Sequence, residues 1–132
     1  AFVGSHSEHP NVGPEVKLLG EATAALQGTT MRLLSWFYGG QLELVPLVAN
    51  RFLEMMSENT LAWLLLDQAV LAESKLAGLE KDHPDQAFYV GKRHAAQYFA
   101  RNVLPGVLDK ADILAREDKS PVEIPDAAFA RI

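Results

Sequence analysis

The sequence predicts an all-α fold, an antiparallel up-down helical bundle of three long helices and a shorter fourth. Apolar residues recur at three- and four-residue steps over long stretches. Glycine or proline clusters end each of those stretches. No segment alternates apolar and polar residues as a half-buried strand does, and no internal repeat is present.

Residues 1–13 read as an irregular lead-in of small and polar residues with Pro and Gly. Pro14 suits a first helical turn, where its missing N–H would find no partner anyway. Glu15 places negative charge at the positive end of the helix dipole. Leu19, Ala22, Leu26, Thr29, Leu33, Trp36 and Phe37 then form one apolar stripe, which Gly39 and Gly40 end.

The second helix is expected to begin between Gln41 and Pro46 and to run to Gly78. Val48, Phe52, Met55, Ala62, Leu66, Ala69 and Val70 mark one face, and Leu53, Met56, Thr60 and Trp63 an adjacent one. Between Leu61 and Leu66 the helix is apolar all round, as in a central helix or one at an interface. His83-Pro84 breaks the pattern, and Asp85 is the expected N-cap of the third helix. That helix carries Phe88, Gly91, Ala95, Phe99 and Val103 on one face, where the small residues would admit a close neighbour. Pro105 ends it. Val107 to Glu117 reads as the fourth helix, and residues 119–132 as a tail in which Pro125-Asp126 seeds a last turn ending at Phe129. The bundle domain is expected over residues 14–118.

A chain of 132 residues can bury one core without staples. Cysteine is absent, which removes disulfide and thiolate chemistry and gives no sign of secretion, so a cytoplasmic or organellar matrix setting is expected, with the cytoplasm first. The net charge is −5 with no basic run, so no nucleic-acid footprint is visible. The longest apolar run, Leu61–Leu66, is far short of the roughly 20 residues of a membrane span. The start has no signal-peptide pattern, and the missing initiator Met suggests a processed chain or a piece of a longer one.

Chemical candidates are few. Glu80 and His83 have the Glu-x-x-His spacing of di-iron bundles, but that site needs the motif twice with further carboxylates, so a solvated helix end is the better reading. His6 and His9 near Glu8 lack a ligand set. His94 has no acid or nucleophile nearby in sequence. Lys92, Arg93 and Arg101 have the charge for an anion site, but a solvated face pairing with Asp67 and Glu73 is favoured. Met55 and Met56 beside Trp63 suit core gaps better than a soft ligand pocket. The Trp36-Phe37-Tyr38 cluster suits a ligand cavity and a packed helix end equally well. Gly39-Gly40 is no nucleotide loop. No catalytic, cofactor-binding or metal residue is assigned. Leu61, Leu65, Trp63, Trp36, Phe37 and Tyr89 are the expected interface, because one layer of helices cannot cover so much apolar area.

Three stretches carry a family resemblance. They are LGEATAALQGTTMRLL from Leu19, AWLLLDQAVLAES from Ala62, and above all FYVGKRHAAQYFARNVLP from Phe88. The last sets an aromatic pair, basic and small residues, a second aromatic pair and a closing Leu-Pro in order. The sequence resembles the extra C-terminal helical domain of the longer bacterial acyl-CoA dehydrogenases over most of residues 18–108. The resemblance implies a parent enzyme that uses FAD to oxidise acyl-CoA thioesters to 2,3-enoyl-CoA products. In that family a glutamate removes the α proton and the flavin N5 accepts the β hydride, and both belong to earlier domains. No catalytic residue therefore transfers to this chain, and Glu54, Glu58 and Glu73 are not candidates for the base. The expected role is packing and assembly, with the remaining domains of the parent and a second copy as partners. The rival reading is a free-standing helical interaction or ligand-binding module.

Overall fold

The computed structural model describes residues 1–129, and positions 130–132 of the expected tail lie outside the described residues. All regular elements among them are helical. In order they are α1 (Phe2–His6), α2 (Gly13–Tyr38), α3 (Leu44–Leu76), α4 (Gln86–Asn102), α5 (Gly106–Leu114) and α6 (Ser120–Glu123), followed by a 3₁₀ turn at Asp126–Phe129. The central α3 packs most extensively on α4 and then on α2, α5 closes against α2 and α3, and α1 lies on α2.

The long helices start and stop where proline and glycine direct them. Pro14 stands in the first turn of α2. At its end Gly40 takes φ +79°, the left-handed conformation that glycine adopts without a Cβ penalty. This lets the Gln41 N–H reach back 2.9 Å to the Trp36 carbonyl.

The first turn of α4 departs from expectation. Asp85 occupies the N-cap position, but its side chain makes no cap bond because its backbone is already helical. Its N–H donates instead to His83 Nδ1 at 3.1 Å, and the Gln86 amide closes the loop onto the Glu80 carbonyl at 3.0 Å.

The lead-in is not irregular throughout. Phe2–His6 forms a turn and a half of helix, and Val12, four residues before Val16, is fully buried. A Cβ on Gly13 would stand 2.6 Å from the Ser7 carbonyl oxygen, so the chain returns onto itself here only because that residue has no side chain.

The core joins Val12, Val16, Leu19 and Ala22 to Met55, Ala62, Leu66 and Ala69 of α3. Ala96 and Ala100 of α4 and Leu104, Val107 and Leu114 complete it. Each fully enclosed Leu or Val contributes about 1.5–3 kcal/mol relative to exposure.

The buried face of α4 is not the expected one. Phe88, Gly91 and Ala95 are exposed, and no neighbouring element among the described residues comes within 4 Å of where a Gly91 Cβ would stand. Ala96 and Ala100 face inward instead. The helix is turned so that Arg93 and Arg101 reach carboxylates on α3 and α2.

Candidate functional site

Most ionisable side chains between the helices are joined in ion pairs. Glu15, 1% exposed in the first turn of α2, accepts from Arg101 Nε at 2.7 Å and also from Nη2. Its second oxygen is buried with no hydrogen-bond partner among the described residues. Glu73 of α3 accepts from Arg93 Nη1 at 2.9 Å and from the Asn11 side-chain amide. Gln97 donates to the Asn11 carbonyl at 2.9 Å, so the α1–α2 connection is bonded to both α3 and α4. Lys110 of α5 meets Glu58 at 2.6 Å and Glu54 at 3.6 Å on α3.

The end of α5 is held by Glu117. Its φ is +55°, an uncommon backbone for a residue with a side chain. In that conformation its carboxylate accepts from Trp36 Nε1 at 3.0 Å and lies 3.5 Å from Arg32. Lys119 then bonds Glu43 at 2.8 Å. The contact holds the Glu43 carboxyl below its usual value and raises the Lys119 ammonium. The backbone N–H of Ser120 does the same for Asp118, holding its carboxyl down.

Of the basic residues considered for an anion site, Arg93 meets Glu73 as expected. Lys92 bonds Gln68 at 3.2 Å rather than Asp67 and rides 5.5 Å over the Phe88 ring. Arg101 pairs with Glu15, a partner invisible in sequence because a glutamate is normally solvated. Among the described residues no three His, Cys, Asp or Glu side chains gather as metal ligands would. His6 packs on the Phe2 ring at 4.7 Å, His9 Nδ1 accepts from the Asn11 N–H, and His94 is exposed. His83 lies in the turn before α4, not on a helix beside Glu80.

The expected interface residues divide. Leu61, Trp63 and Phe37 are exposed, Leu65 and Tyr89 are half-buried, and Trp36 is enclosed in the fold. Met55 is in the core, while Met56 faces outward. Leu53, Met56, Leu61, Leu64 and Leu71 give the outer side of α3 an apolar surface over several turns. Two grooves flank α3. One, of about 530 Å³, runs between α1, α2 and α3 past Thr23, Gln27, Thr60 and Trp63. The other, of about 720 Å³, is lined by His6, Asn11, Glu73 and Arg93. No helix among the described residues is long and apolar enough to cross a membrane.

Residues 1–125 match the family described as acetyl-CoA dehydrogenase C-terminal like. A butyryl-CoA dehydrogenase of Syntrophomonas wolfei is 41% identical over 87 residues, which is 66% of this chain and 14% of that protein. The broad-specificity linear acyl-CoA dehydrogenase FadE5 of Mycobacterium tuberculosis is 31% identical over 97% of this chain and 22% of its own length. The chain thus spans less than a quarter of these relatives. The resemblance read from the helices is met by a match over nearly all of the chain, and the protein belongs to the acetyl-CoA dehydrogenase C-terminal-like family.

Proposed function

We propose that this chain is the C-terminal accessory domain of a flavin-dependent acyl-CoA dehydrogenase, serving packing and subunit assembly rather than chemistry. The observation that supports it most is the family match, joined to an outer α3 face that presents leucine, methionine and tryptophan to solvent. Apolar area of that kind marks an interaction surface. The internal ion pairs Glu15–Arg101, Glu73–Arg93 and Glu58–Lys110 fix helices to one another, which is a structural use of charge. In this reading residues 14–118 are the bundle domain, with α2, α3 and α4 running up and down in turn. The connections 39–43 and 77–85 are short, as between antiparallel neighbours. Leu61, Leu65, Trp63, Phe37 and Tyr89 contribute to interfaces, which the other domains and a second copy divide between them, and the parent works in the cytoplasm. FAD and the acyl-CoA thioester bind in the parent's preceding domains.

The test is purification of the parent polypeptide beside the 132-residue chain alone. The parent should be yellow with stoichiometric flavin and should reduce an electron-acceptor dye with an acyl-CoA. The chain alone should be colourless and inert. A colourless parent inert toward every acyl-CoA tried would refute the reading.

A further inference from the structure

The surface hollows differ in charge. Among the described residues, the groove between α1, α2 and α3 is lined without an ionisable side chain; its walls include Phe2, Thr23, Gln27, Asn59, Thr60 and Trp63. A shallower hollow of about 410 Å³ adjoins it through Thr60 and adds Met56, Ser57 and Leu61, again uncharged. Along α2 the same face continues from Gln27 to the exposed Met31, one turn on. Three other hollows each hold charge: Glu73 with Arg93, Arg51 with Glu117 and Asp118, and Lys92. In a chain with 22% charged residues, two adjoining hollows lined without charged side chains have the composition of an interface centre, where charged side chains are depleted.

We propose that this α2–α3 face is covered by the part of the same polypeptide that precedes residue 1. The proposal rests on the accessory-domain reading above. Two observations choose this occupant over a second copy. Matched relatives are several times longer than this chain, so a large body stands ready to lie against it. Ala1, Phe2 and Val3 themselves line the groove, so any preceding polypeptide leaves the domain at the rim of this face. A segment tethered there docks at the high effective concentration of an intramolecular contact. A second copy would first lose its translational and rotational freedom. The covering surface should be apolar, with a few neutral hydrogen-bonding groups for Gln27, Asn59 and Thr60 and no charge.

The test uses the full-length parent. This chain contains no cysteine, so Thr60→Cys on the face and Asp112→Cys on the outer side of α5 introduce the thiols compared. Maleimide labelling is followed at each site by peptide mass spectrometry, with unfolded protein as the reference. In a third variant, p-benzoylphenylalanine replaces Gln27 at the groove and is irradiated. The expected result is labelling at least tenfold slower at position 60 than at position 112. The photoproduct should be a crosslink within one polypeptide, to a peptide preceding residue 1. Equal labelling at the two positions, crosslinked dimers, or crosslinks confined to residues 1–132 would each overturn the proposal. Failure of the two readings is distinguishable. An exposed position 60 in an active flavoprotein removes the docking face alone. A protected position 60 in a parent without flavin removes the enzyme reading alone.

Discussion

Replacing Arg101 by alanine should destabilise the domain more than any change to its partner. The substitution strands Glu15, whose carboxylate is 1% exposed and already has one oxygen with no hydrogen-bond partner among the described residues. Breaking a buried pair by removing one member costs about 3–5 kcal/mol. The Arg101 side chain is 58% exposed, so water partly replaces it, and we expect about 2–3 kcal/mol. Glu15→Gln keeps an acceptor for the guanidinium and should cost only about 1 kcal/mol. The double variant Glu15→Leu/Arg101→Met removes both charges and fills the same space, so it should lie within about 1 kcal/mol of the parent chain. Urea unfolding followed by circular dichroism measures all three. In thermal melts Arg101→Ala should lower the midpoint by roughly 8–12 °C, at about 4 °C per kcal/mol for this length. An Arg101→Ala variant within about 0.5 kcal/mol of the parent chain would refute the reasoning, since that is the range of ordinary surface changes. So would a double variant as unstable as the single one.

Further expectations follow from the core and the turns. Leu66→Ala, at a fully buried site, should cost about 3–5 kcal/mol in the same unfolding assay. Gly13→Ala should loosen the α1–α2 connection, because the new methyl meets the Ser7 carbonyl, and faster amide exchange over residues 2–12 would report it. Ala95→Leu, on the exposed side of α4, should change the unfolding free energy by less than about 0.5 kcal/mol in the isolated chain. Attachment of the segment after α5 should depend on pH at both extremes. Glu43 and Asp118 are held below their usual values, so their contribution is present above the ordinary carboxylate range and is lost as acid titrates them. Lys119 is raised, so its contribution is complete below the ordinary lysine range and is lost as pH climbs through the raised value. The Ser120 amide shift should therefore hold steady between those limits and move beyond each.

Glycine and proline made the helix ends legible. Pro14, Gly39-Gly40, His83-Pro84 and Pro105 bound α2, α3 and α4 within a few residues of expectation. The rotation of α4 was not legible. Phe88, Gly91, Ala95 and Phe99 share a face as plausibly as Ala96 and Ala100 do, since alanine and aromatic residues suit both core and surface. In the structure Ala96 and Ala100 join the core while Arg93 and Arg101 reach Glu73 and Glu15, and a buried glutamate gives no sign in sequence. Helix α1 escaped notice because five residues show no complete apolar period, and its support comes from packing on α2. The uncharged α2–α3 hollows could have been found by asking where along these helices charge is missing.

The two tryptophans of this chain sit in opposite surroundings. Trp36 is enclosed with its indole N–H held by Glu117, whereas Trp63 stands half in solvent on the wall of the uncharged groove. Their emission should therefore separate, with a blue component that acrylamide reaches poorly and a red one that it quenches readily. Each colour reports a different event. The blue band follows the grip of Glu117 on the inside of the fold. The red band follows whatever comes to rest on the groove, and it should shift toward blue when that surface is covered. The sequence thus carries its own pair of optical probes, one for integrity and one for assembly, without any added label.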